Sequence, residues 1–225
     1  MHQYPSGPFV TELLIGYMAL FSIINPFGIA FVFYARTRSL SEPERRAVAR
    51  QVAFYSFVIL VVSLFVGSMI LRFFGISVPA LRIAGGLVVA LSGWSMLTAS
   101  DEPPAATHAH AGVARVEDMV FFPLTIPLTT GPGSIAAAIA LGAHREGNLR
   151  YILGSWMTSL LIAGLVALTI YLAYSRAAMF SRWVGLEGTR VITRLSAFLL
   201  MCVGVQIILT GLSDAFPGLT IPGRP

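Results

Sequence analysis

Two short stretches, Asn25-Pro26-Phe27-Gly28 and Thr129-Thr130-Gly131-Pro132-Gly133-Ser134, combine residue types and spacing that point to chemistry. Each is a polar, helix-breaking interruption near the middle of a long apolar run. Proline has no N–H and strands carbonyls upstream, and lipid tolerates such a break only where it faces protein or a wet cavity. Asn25 before Pro26 and Gly131 before Pro132 follow the pattern of a helix start, with a capping residue and then proline, so a half-helix is expected to begin at each break. Its unpaired N–H groups and partial positive charge would favour an anionic group by about 0.3–1 kcal/mol per helix end. The half-helices upstream would end at the same depth, with free carbonyls able to take an ammonium group or a small cation. Asn25, Thr129, Thr130 and Ser134 add neutral donors and acceptors.

Six uncharged runs surround these stretches: Leu13 to Ala35, Gln51 to Leu71, Ile83 to Ser100, Met119 to Ala143, Tyr151 to Ser175 and Leu195 to Ser213. None contains Asp, Glu, Lys, Arg or His, although Glu12 and Asp214 sit at their edges. A substrate with net charge would find no buried counter-ion, so a neutral zwitterion or other neutral solute is favoured. Ser134 has no base to activate it, and an enzyme is not expected. No cofactor is implied, and a coupling ion, proton or sodium, is left open.

The runs also set the architecture. A hydrocarbon core about 30 Å thick needs roughly 20 helical residues, and each run suffices once flanking residues are added. With 56% hydrophobic and 11% charged residues and a mean hydropathy of +0.79, the chain reads as an all-α integral membrane protein of six transmembrane helices, one domain over residues 1–225. The first run is too long for a signal-peptide core and reads as a retained span. The formal charge of +5 comes from fifteen arginines and no lysine, clustered between the runs, so membrane orientation explains it without nucleic acid. Arg36, Arg38, Arg45, Arg46, Arg50, Arg115, Arg176, Arg182, Arg190 and Arg194 fall in the odd-numbered loops, against Arg72, Arg82, Arg145, Arg150 and Arg224 on the other side. The positive-inside rule then puts both termini outside the cytoplasm.

Between the runs, Ser41-Glu42-Pro43-Glu44 reads as the start of a short cytoplasmic helix leading into the second span. Residues 101–118, with Pro103-Pro104, His108 and His110, read as a connector in which two histidines are too few for a metal site. Cys202 is the single cysteine, which excludes an intrachain disulfide. Arg82 and Arg194, each just before a span, could be paired gates, one on each side, but read better as snorkelling anchors. Gly85-Gly86 and Gly93 would let helices approach closely, and Trp94, Trp156 and Trp183 read as packing or interfacial residues.

The connector divides the chain into related halves, about 9–100 and 119–213. Arg82, Leu87, Leu97 and Thr98 match Arg194, Leu199, Leu209 and Thr210 at one fixed offset, and Pro26, Ile29 and Ala30 correspond to Pro132, Ile135 and Ala136. Three spans per half force the second half to enter the membrane upside down. The expectation is two inverted three-helix repeats with the first and fourth helices discontinuous, both half-helix N-termini meeting at the membrane centre.

Asn-Pro-Phe-Gly at 25–28, Arg-Ile-Ala-Gly-Gly at 82–86 and Pro-Leu-Thr-Thr-Gly-Pro-Gly-Ser at 127–134 together resemble the MarC family of six-span inner-membrane proteins over nearly the whole chain. The resemblance implies a relationship to small neutral amino-acid transporters, with substrate contacts around Asn25, Pro26, Phe27 and Gly28 and around Thr130, Gly131, Pro132 and Gly133. The expected function is a secondary transporter of glycine- or alanine-like solutes working by alternating access in the cytoplasmic membrane. A passive facilitator for a small polar solute and an exporter are the alternatives. Oligomeric state is open.

Overall fold

The computed structural model describes residues 8–98, 120–143 and 149–216, in which the regular elements are all helical. In chain order these are α1 (Pro8–Ile24), α2 (Pro26–Arg36), α3 (Glu42–Phe73), α4 (Val78–Thr98), a π-helix α5 (Val120–Thr129), α6 (Pro132–Gly142), α7 (Leu149–Ser175) and α8 (Ala177–Ala215). Five stretches are long and apolar enough to cross a membrane: Phe9–Arg36, Glu42–Phe73, Val78–Thr98, Gly154–Ser175 and Val191–Ala215. The remaining uncharged run is divided between α5 and the shorter apolar α6. The chain is therefore an all-helical membrane protein whose first and fourth runs are broken. The connector, with His108 and His110, lies outside the described residues.

The expectation for the loop before the second span changes. Ser41 caps α3 itself: its backbone N–H and hydroxyl both donate to the Glu44 carboxylate, at 2.8 and 2.6 Å, closing a capping box. With no break between that cap and Phe73, the expected short helix runs straight on into the second span, whose uncharged part begins at Gln51. The segment before the sixth span is likewise helical, α8 starting at Ala177 and bending at Gly185, whose φ of 74° is open to glycine.

The helices pack as two exchangeable sets. Swapping α1 with α5, α2 with α6, α3 with α7 and α4 with α8 preserves the main packing: α1 lies on α7 as α5 lies on α3, α2 on α7 as α6 on α3, and α2 on α8 as α6 on α4. The self-paired contacts are α3 with α7 and α4 with α8. Along α4 and α8 the partners run in opposite directions, Pro79 near Gly211, Gly86 near Gly204 and Gly93 near Ala197. Antiparallel equivalent helices are what an inverted repeat requires.

Small residues make that central pair possible. A Cβ at Gly86 would lie 2.7 Å from the Gly204 carbonyl oxygen, and one at Gly93 2.6 Å from the Met201 nitrogen, so backbone meets backbone directly. Arg82 does not simply reach for headgroups: its guanidinium pairs with the Asp214 carboxylate, tying the start of α4 to the end of α8. Both side chains are partly exposed, so the pair fixes register more than it adds stability. The core beneath is built from Leu20, Phe33, Val52, Leu60, Val166 and Tyr174, while Ile15, Met69, Phe73 and Met157 point outward as a lipid-facing surface.

Candidate functional site

The first break turns on one residue. Asn25 adopts the left-handed conformation, φ 46° and ψ 57°, which asparagine tolerates better than other side chains. Its N–H donates to Phe21 O at 2.8 Å and its carbonyl accepts from Ile29 N–H at 3.0 Å, so α1 closes and α2 opens on the same residue. The Asn25 side-chain oxygen accepts from Gly28 N–H at 3.3 Å, capping α2. Gly28 leaves room for α8, since a Cβ there would meet Ser196 Oγ at 2.5 Å. Pro26 is buried, and Phe27 turns outward, edge-on to Phe21 and Phe180.

The second break is built differently. Pro123 and Pro127 have no N–H to donate along the helix, and over this stretch α5 takes the wider π-turn. Hydroxyls support that wide turn: Thr125 Oγ1 donates to Val120 O and Thr129 Oγ1 to Leu124 O, each at 2.7 Å, while Thr130 N–H reaches Thr125 O at 2.8 Å. Thr129 also bonds the buried Tyr174 hydroxyl at 2.8 Å, and Thr130 Oγ1 donates to Ser56 Oγ at 2.8 Å. These contacts pin the end of α5 to α7 and α3.

At Gly131 the backbone is extended, φ −82° and ψ 175°, and no side chain caps α6. Ile135 N–H bonds Gly131 O at 3.1 Å, and Ser134 Oγ folds back onto the same carbonyl at 2.8 Å. Among the described residues, the N–H groups of Gly131, Gly133 and Ser134 meet no acceptor. They are the open donors of a helix N-terminus.

A cleft of about 40 Å³ lies here. Thr129, Gly131, Pro132, Gly133 and Ser134 form one side, and Ile23 and Ile24, at the C-terminal end of α1, form another. Val88, Val89 and Ser92 of α4 and Leu200 of α8 complete it with Ile29 and Leu128, and none of these residues is ionisable. Among the described residues the Ser22, Ile23 and Ile24 carbonyls receive no N–H; Pro26 has none to give Ser22, and Gly28 N–H goes to the Asn25 side chain instead of Ile24. Thus a helix end rich in acceptors lies across the cleft from a helix start rich in donors.

A scan against family models matches residues 10–216 to the MarC family integral membrane proteins. The chain belongs to the MarC family. Among curated relatives, this MarC protein is similar to the UPF0056 membrane protein YvbG of Bacillus subtilis (strain 168), 34% identical over 91% of this chain and 95% of that one. It is also similar to the UPF0056 inner membrane protein MarC of Escherichia coli O1:K1 / APEC, 32% identical over 89% of this chain and 93% of that one. No solved structure matches.

Within this MarC protein the ten residues singled out in the sequence separate into two groups. Thr129, Gly131, Pro132, Gly133 and Ser134 line the cleft, whereas Asn25, Pro26, Phe27, Gly28 and Thr130 do not. Ile23 and Ile24 at the end of α1 and Ile29 in the first turn of α2 share the cleft with the start of α6, while the Asn25 side chain is occupied in capping α2. Val88, Val89 and Ser92 escaped the sequence reading. Their signal was the glycine-rich face of α4: Gly85 comes 2.6 Å, at its missing Cβ, from Ala136 Cβ, and a Cβ on Gly133 would strike Val89. Mutual absence of side chains brings α4 against the site.

Proposed function

We propose that this MarC protein is a secondary transporter of small neutral amino acids, glycine- or alanine-like, that acts by alternating access across the cytoplasmic membrane. The observation that carries this reading is the uncharged cleft between the two breaks, with open N–H donors on α6 and unpaired carbonyls at the end of α1. A carboxylate is favoured at the first and an ammonium at the second, so one zwitterion satisfies both helix ends without a buried counter-charge. The exchangeable packing of the two helix sets supports alternating access, since each set has a counterpart able to take its role. The inner-membrane name of the Escherichia coli relative supports the location.

The test is uptake of radiolabelled glycine and alanine into liposomes holding the purified protein, under imposed proton and sodium gradients. Saturable flux that one of the gradients concentrates, together with counterflow of labelled against unlabelled solute, is expected. Flux without counterflow or concentration would make it a passive facilitator, and no saturable flux of any small neutral amino acid would remove the reading.

A further inference from the structure

A second cleft, of about 420 Å³, shares no lining residue with the first and lies where α3 begins and α7 passes into α8. Its walls carry Arg45 and Arg46 from α3, Arg176 at the α7–α8 junction and Arg182 from α8, with Glu42 as the one carboxylate among its lining residues. Arg182 Nη2 donates to Glu42 at 2.9 Å, and Arg46 stands 3.9 Å from the same carboxylate. Among the described lining residues, one carboxylate therefore stands against four guanidinium groups. Arg176 has no carboxylate partner among the described residues.

Arg45 makes this more than a charged surface. It is only 6% exposed, yet no carboxylate neutralises it among the described residues. Its Nε donates to Thr37 O at 3.3 Å and its Nη2 to Thr37 O and Leu40 O at 3.1 and 2.8 Å, while the guanidinium sits 4.9 Å from the Tyr34 ring centre. Those bonds hold the plane of the group and leave Nη1 with two N–H donors that meet no acceptor among the described residues. A buried, oriented cation without a counter-ion at the wall of a cavity calls for an anion.

The position says which anion. The uncharged runs begin at Gln51 and end at Ser175, just beyond these arginines, so the cleft lies at the depth where hydrocarbon gives way to headgroups. Its rim is apolar and open: Trp183 is 89% exposed and Met179 47%. We propose that this cleft binds a phosphate-bearing anion, held by Arg45, Arg46, Arg176 and Arg182, of the kind carried by anionic phospholipid headgroups. Guanidinium groups match phosphate oxygens in paired hydrogen bonds, and basic pockets between helices at a membrane surface take such headgroups.

The experiment uses the full-length protein, delipidated in neutral detergent and titrated separately with phosphatidylglycerol, phosphatidylcholine and inorganic phosphate. Retained lipid is read by native mass spectrometry and protection by thermal unfolding. Phosphatidylglycerol is expected to bind at least tenfold tighter than phosphatidylcholine. R176Q/R182Q should weaken it on the order of tenfold, E42Q should tighten it, and R72Q, at the other end of α3, should leave it unchanged. Protection by inorganic phosphate that E42Q strengthens would identify soluble phosphate as the source of the same chemistry; protection by phosphatidylglycerol alone would identify lipid. Should R176Q/R182Q fail to fold, E42Q decides. Equal affinity for both lipids without protection by phosphate, or affinities that E42Q does not raise, would overturn the proposal.

Discussion

The two breaks share a motif grammar and end in opposite states. At the first, Asn25 supplies a side chain that caps Gly28 N–H and a left-handed turn that aims α2 at Ser196 of α8. At the second, Gly131 supplies neither, and α6 starts bare beside a cleft. The start of α3 marks the capped extreme, with Ser41 and Glu44 satisfying each other. A repeat can thus keep one helix start for structure and leave its counterpart open for a ligand. The difference lies in one residue, amide against hydrogen, at the cap.

The most damaging way to break this contrast is to fill the bare start. Gly131→Leu puts a side chain among the open donors, and solute flux in liposomes is expected to fall to background while membrane insertion and monodispersity persist. Gly133→Val should do the same by colliding with Val89. Normal flux in both would show that α6 binds nothing.

Next in size is the capped start. Asn25→Ala removes the acceptor for Gly28 N–H and places a Cβ residue in the left-handed region without a local hydrogen bond. Loss of the cap and the backbone penalty together are expected to cost about 2 kcal/mol, read as a lower unfolding temperature, with flux lost because the end of α1 shifts. Asn25→Gly relieves the backbone and should cost only a few tenths of a kcal/mol. Equal destabilisation by the two would mean that the left-handed turn does not matter.

How far these differences could be read in the sequence depends on range. The helix periods, the two prolines and the repeat are local or patterned, so the six runs and both breaks are legible. Whether Asn25 faces its own helix or a ligand is not, because an asparagine before proline reads alike in either role, and the Ser196 that packs on Gly28 comes from far along the chain. The π-form of α5 is half legible: Pro123 and Pro127 forbid a regular α-helix, but the wide turn is chosen by bonds from Thr125 and Thr129. Arg82 read as an anchor because its partner, Asp214, lies 132 residues further on, at the edge of the last span. Ser92 was missed for a plainer reason: the glycine-rich face of α4 marks a close approach, but nothing in the sequence tells Ser92 from Ser95 as the one at the cleft.

A smaller effect separates support of the second break from its bare end. Tyr174 is fully buried, stacked on Phe33 with ring centres 4.5 Å apart, and bonded to Thr129. Tyr174→Phe keeps the stack and leaves Thr129 its bond to Leu124 O, so a loss of about 0.5–1.5 kcal/mol is expected. Flux should drop by less than for Gly131→Leu. A stronger loss of flux than of stability would place the Thr129 hydroxyl on the solute.

The smallest expected effect concerns the capped extreme at α3. The Ser41 hydroxyl, and after it the Ser41 backbone N–H, hold the Glu44 carboxyl below its ordinary range. A carboxyl lowered in the folded state stabilises at pH above its unfolded value, and that contribution disappears as pH falls through the lowered value. Unfolding temperature should therefore decline slightly more on acidification in the natural protein than in Glu44→Gln, which cannot titrate. Flux should not follow, because α3 begins far from the cleft at Gly131 and its start is already satisfied. Were Glu44→Gln to change flux as Gly131→Leu does, the distinction between a helix start closed by its own cap and one left open to a solute would fail at its simplest case.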